Sequence, residues 1–94
     1  MIEILHIADC PTWEATRALI ERVVGEPVAG RVIGSPEEAE AIGFCGSPTV
    51  LVNGADPWMS QANAVGLACR IYRLPDGRLA PGPSEEMVRA ALAH

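Results

Sequence analysis

Hydrophobic positions in this chain recur first at strand spacing and then at helix spacing. Ile2-Glu3-Ile4-Leu5-His6-Ile7-Ala8 is a β-rich run and predicts a buried first strand. From Trp13 to Val24 the period lengthens. Ala15, Leu19, Ile20, Val23 and Val24 fall on one side of a helix, and Glu14, Arg17, Glu21 and Arg22 mostly cover the other. Asp9 or Cys10 serves as its N-cap and Pro11 suits the first helical position. Gly25, with Pro27 just beyond, stops it. Val28 to Ile33 predicts a second strand, weakened by Gly30. Ser35-Pro36-Glu37-Glu38 reads as a capping box that opens a short helix ending at Gly43. Thr49 to Val52 predicts a third strand, and Asn53-Gly54 is the strongest turn dipeptide in the chain. Leu67 to Arg73 predicts a fourth strand, with Cys69 and Ile71 on one face and Arg70 and Tyr72 on the other. The connection from Ala55 to Gly66 is longer than a hairpin prefers, which makes it a candidate functional loop. Pro75-Asp76-Gly77 turns the chain. Pro81-Gly82-Pro83 leads into a last helix capped by Ser84, running to Ala93 with Met87, Val88, Ala91 and Leu92 inward.

The order β-α-β-α-β-β-α over residues 1–94 predicts a single α/β domain. A right-handed first crossover sets strands one and two parallel. The length of 94 residues supports one modest core, and the few aromatic residues leave its filling to Leu, Ile, Val and Ala. Net charge is −5 with the acidic groups dispersed, which argues against nonspecific binding to nucleic acid or to an anionic membrane. Every basic residue is arginine, so lysine-based covalent or general-base chemistry is excluded. No basic segment precedes the first strand and no long apolar run occurs, so neither a signal peptide nor a membrane span is expected. Three cysteines, none two or three residues from another, do not make a disulfide framework. They predict reduced thiols in the cytoplasm. A zinc site would need His6 beside all three, at a spacing unlike any zinc knuckle, so no metal site is expected.

The chemistry concentrates in two local signals. Asp9-Cys10-Pro11-Thr12-Trp13 places a cysteine where a strand gives way to a helix, and Gly46-Ser47-Pro48-Thr49 places a Ser-Pro at the entry to a later strand. A thiol at a helix N-terminus meets free N–H groups and the positive end of the macrodipole. Such placement lowers a thiol pKa from about 8.5 into a range of roughly 3.5–7.5. The neighbouring Asp9 carboxylate opposes this, and the plainer alternative is that Cys10 is a small residue at a strand end. Cys45, three residues before Pro48, is either a second thiol facing Cys10 or a small buried hydrophobe after Phe44. Cys69 is expected in the core, away from Cys10, with Tyr72 and Arg73 nearer the Ser47-Pro48 loop. His6 reads as a core or edge histidine rather than a base. Trp58 and Met59 either fold over the core or form a dimer or partner surface. His94, at the terminus, carries no reading.

With these residues in this order, the chain resembles the thioredoxin-like superfamily. Cys-Pro-x-Trp, Gly-Ser-Pro-Thr-Val-Leu-Val-x-Gly, Asp-Pro and Leu-Ala-Cys-Arg-Ile-Tyr-Arg also look like a group of small bacterial thioredoxin-like proteins, some carrying alkylmercury-lyase-type labels. The resemblance implies a minimal thioredoxin-like, or glutaredoxin-like, fold. It has a four-stranded mixed sheet, helices on both faces and a cis peptide bond before Pro48. It implies Cys10 as the reactive thiol, with Cys45 as the candidate second sulfur. It further implies substrate contacts from Pro11, Trp13, Ser47, Pro48 and Thr49, with the backbone before Pro48 open to an extended peptide or a thiol such as glutathione. Trp13 stands where a dithiol site carries its second cysteine, so the motif itself holds one thiol. Three functions follow as expectations. The first is thiol–disulfide or glutathione-linked redox exchange through Cys10 with a protein or small-molecule thiol or disulfide. The second is a non-catalytic binding module. The third is soft-metal handling of mercury or copper by thiolates, in keeping with a mercury-resistance context.

Overall fold

A computed structural model describes residues 2–62 and 64–93; His94 lies outside them. The first strand, β1 (Ile2–His6), is central to a three-stranded mixed sheet in the order β2-β1-β4. Parallel to it runs β2 (Ala29–Val32), reached through the helix α1 (Trp13–Val24). Antiparallel to it runs β4 (Thr49–Val52). The helix α2 (Pro36–Ile42) and a short strand β3 (Cys45–Ser47) lie between β2 and β4 in sequence. After β4 come a 3-10 turn at Met59–Gln61, β5 (Gly66–Cys69), β6 (Tyr72–Arg73), β7 (Leu79–Ala80) and the helix α3 (Glu85–Leu92).

Alternation along β1 splits the core in two. Ile4 packs with Ile20, Val28, Val50 and Val88, so α1 and α3 cover one face of the sheet. Leu5 packs with Ile33, Ala39 and Phe44, so α2 covers the other. Helices on both faces are therefore present. The four-stranded sheet expected from the sequence is not. The segment read as one strand from Leu67 to Arg73 breaks at Arg70 and Ile71. Its first part, β5, pairs parallel with β3, and its second part, β6, pairs antiparallel with β7. The physical reason is Arg70. Its side chain is fully buried in an ion pair with Asp56, 2.6 Å, and donates to the Trp58 carbonyl, also 2.6 Å. Holding that guanidinium draws the strand out of the sheet. The alternation was legible, but its sense is reversed: Arg70 and Tyr72 face inward while Ile71 is 51% exposed and Cys69 is exposed.

Helix ends follow local chemistry. The Gly25 N–H closes α1 on the Glu21 carbonyl, with the residue in the left-handed region at φ 77°. At α2 the Ser35 hydroxyl accepts from the Glu38 N–H, and the Glu38 carboxylate accepts from the Gly34 N–H, one residue further back than a standard capping box. Asn53-Gly54 makes the expected tight turn, with reciprocal bonds between Val52 and Ala55. That turn delivers Asp56 to Arg70. Trp58 packs against the core and meets Tyr72 edge-on, whereas Met59 is 58% exposed, so the two apolar loop residues part company. No helix among the described residues is long and apolar enough to cross a membrane.

Candidate functional site

The site is assembled where β1 ends, α1 begins and β3 passes into β4. After His6 the chain tightens into a turn in which the Cys10 N–H donates to the Ile7 carbonyl at 3.2 Å. Neither Asp9 nor Cys10 caps α1, as the sequence suggested; Thr12 is the N-cap and Pro11 precedes the helix. The Thr12 side chain makes no cap hydrogen bond. Its Oγ1 lies 3.5 Å from Cys10 Sγ instead. A hydroxyl that ordinarily satisfies the helix is thus turned onto the thiol.

Ser47 approaches the same sulfur from the opposite element, and the Ser47–Pro48 peptide bond is cis, as expected. The Ser47 hydroxyl accepts from the Ile7 N–H at 3.1 Å. Its own proton is therefore left for Cys10. Cys10 is only 6% exposed. Burial pushes its thiol pKa up, but hydrogen bonds from the Ser47 and Thr12 hydroxyls and from the Thr12 and Trp13 backbone amides outweigh it, so the pKa lies below the ordinary cysteine value. Asp9, which was expected to oppose thiolate formation, is exposed and is not among the groups acting on the sulfur.

Trp13 lies flat on His6, with ring centroids 3.8 Å apart and planes 4° from parallel. Gly30 leaves room for it: a Cβ there would sit 2.7 Å from the indole. Buried His6 holds the stack in place through a contact between Nδ1 and the Ile7 carbonyl, as a core histidine would. The indole is thus packed on His6 and the core, while the Trp13 backbone amide serves the sulfur.

Tyr72 closes the far side. Its hydroxyl donates to the Pro48 carbonyl, and its phenol pKa is pushed well above the usual value, first by burial and then by the negative charges of Asp56 and Cys10, with Arg70 opposing. The expectation that Tyr72 lies near the Pro48 loop holds. Arg73 is exposed and lines a surface cavity of about 370 Å³ with Ser60, Gln61, Ile71 and Leu79, a space that Cys10 does not line, and its backbone N–H donates to Gln61 Oε1.

Other expected site residues fare differently. The Thr49 hydroxyl is buried, donating to the Gly46 carbonyl and lying 3.5 Å from Arg70 Nη1. The backbone before Pro48 is not open either: the Ser47 carbonyl accepts from the Arg70 N–H at 2.9 Å, because β5 already lies along that edge. Pro11 is exposed and Trp13 half-buried, whereas Ser47 and Pro48 are buried. Cys45 donates to the Gly43 carbonyl at 3.2 Å and lines a cavity of about 380 Å³ with Phe44, Thr49, Asp56 and Met59, a space that Cys10 does not line. Cys69, expected in the core and away from Cys10, is exposed and sits opposite Ser47. Sequence reasoning missed the Thr12 hydroxyl and the Asp56–Arg70 pair. The second had a signal: an arginine inside an apolar strand needs a carboxylate, and Asp56 opens the preceding loop.

No disulfide links the three cysteines. Among the described residues, no three His, Cys, Asp or Glu side chains are grouped as a metal-binding set. Comparison of the chain with family models, curated proteins and solved structures found no match.

Proposed function

We propose that this protein carries out thiol–disulfide exchange, with Cys10 as its nucleophile. The observation that carries this reading is the convergence of two hydroxyls and two backbone amides on one buried sulfur. Hydrogen bonds of this kind favour the thiolate over the thiol, and the thiolate is the attacking species. Their donors come from two separate elements, the start of α1 and the β3–β4 junction, so the fold itself builds the environment. The Cys10 thiolate attacks one sulfur of an external disulfide. A mixed disulfide forms, and the departing thiolate takes a proton from solvent. Pro11, exposed, and Trp13, half-buried, follow Cys10 in the chain and are surfaces a partner approaching this turn would meet. A small disulfide such as oxidised glutathione suits the site better than an extended peptide, because β5 takes up the Ser47 carbonyl.

Reaction of the folded protein with an aromatic disulfide that releases a coloured thiolate tests the reading. A fast phase should be retained in Cys45→Ser and lost in Cys10→Ser. Survival of that phase in Cys10→Ser would remove Cys10 from the mechanism.

A further inference from the structure

The cavity that Cys45 lines lies apart from Cys10. It measures about 380 Å³ and opens between the end of α2, the start of β3, β4 and the turn after β4. That volume falls within the range of about 300–1,000 Å³ typical of small-molecule sites. Its inner wall is made by Leu5 and Phe44 of the second core cluster and by Leu51, which packs against them. Its rim carries Ile42, 39% exposed, and Met59, 58% exposed. Two large apolar side chains thus stand in solvent at the mouth of a space that leads to the core.

The polar side chains in the lining are already engaged within the protein. The Cys45 thiol donates to the Gly43 carbonyl at 3.2 Å, and the Thr49 hydroxyl donates to the Gly46 carbonyl. The Asp56 carboxylate accepts from the Trp58 N–H at 2.8 Å and is neutralised by Arg70 at 2.6 Å. Little is left over for an ordered water, which needs about 2–4 polar partners, or for the charge of an ion. The net charge of −5 also disfavours anions. Apolar walls with satisfied polar groups suit an apolar occupant, and a cavity of about 150 Å³ already takes benzene. The sulfurs of Cys45 and Met59 add soft, polarizable partners for an aromatic ring. We propose that this cavity is a binding site for a small neutral aromatic molecule, which covers Ile42 and Met59 as it enters. The site is separate from the thiol exchange assigned to Cys10 and does not depend on it.

Toluene, titrated into the isotope-labelled full chain and followed through backbone amide chemical shifts, tests this. Saturable shifts are expected at Phe44, Cys45, Leu51 and Ala55. Benzoate and benzylammonium put a charge on the same ring and should bind at least about tenfold more weakly. Met59→Asp changes an exposed rim residue and leaves the core untouched; it should weaken toluene by about tenfold, since a carboxylate then stands at the mouth. A second readout uses Cys69→Ser, in which the peptide 32–70 from cleavage after arginine carries Cys45 as its one thiol. Saturating toluene should slow alkylation of Cys45 by N-ethylmaleimide several-fold. The proposal is overturned by an absence of saturable shifts, or by shifts confined to the separate groove of Trp58, Met87 and Ala90. It is equally overturned by benzoate binding as tightly as toluene, by full affinity in Met59→Asp, or by Cys45 labelling that toluene leaves unchanged.

Discussion

Cys10 is set by opposing effects on a single atom. Burial works against a charged sulfur, and four hydrogen-bond donors work for it. Ser47 is the foremost of these donors, and its hydroxyl is oriented by the Ile7 N–H. Replacing it should be felt in the chemistry before it is felt in the fold. Ser47→Ala is expected to slow alkylation of Cys10 at neutral pH roughly tenfold, as befits losing a hydrogen bond to a charged group worth about 1.5 kcal/mol. Alkylation rates read by mass spectrometry check this, and an unchanged rate would mean that Ser47 does not act on the sulfur. Gly30 offers a second test at this scale. Gly30→Ala puts a methyl 2.7 Å from the Trp13 ring, so the indole must leave its stack on His6. The expected penalty is about 1–3 kcal/mol of stability, with a shifted tryptophan emission relative to wild type. Unchanged emission and stability would mean that the indole does not depend on this gap.

Among the elements, the segment from β4 to β7 differs most from what its pattern suggests. Periodicity made β1, α1, α2, β4 and α3 legible because each presents an apolar face to one or both of the two core clusters. The break between β5 and β6 was hidden because alternation reports which residues share a face and not which face is buried. An ion pair decides that here, between residues distant in sequence: Arg70 and Asp56 are both essentially without solvent exposure. The candidate site was partly legible for the same reason. Cys10 and Ser47-Pro48 are local signals, while Thr12 acquires its place only through a helix that starts late. Removing one partner of the buried pair should be severe. Asp56→Ala is expected to destabilise the domain by about 3–5 kcal/mol in urea unfolding, because it leaves a buried guanidinium uncompensated. Asp76→Ala breaks an exposed pair with Arg78 and should change stability by less than about 1 kcal/mol. Equal effects would contradict the assignment of Arg70 as the strand breaker.

For the whole molecule, the thiol couples chemistry to stability. The folded thiol is more acidic than the same thiol in the unfolded chain, where it titrates near about 8.5. Between the folded pKa and that value the unfolded state binds more protons, so stability rises with pH. The contribution of Cys10 is fully present above the unfolded pKa and is lost as pH falls through the folded one. Urea midpoints measured across this window should favour the wild type over Cys10→Ser by a margin that grows with pH; a margin independent of pH would contradict the coupling. The central claim, that this fold makes Cys10 a thiolate poised for exchange, is tested most directly by the pH dependence of Cys10 alkylation in a Cys45→Ser/Cys69→Ser double variant, in the folded state and in urea. The folded midpoint should lie clearly below the urea midpoint. A folded midpoint equal to or above it would show that burial prevails and that Cys10 is a structural cysteine.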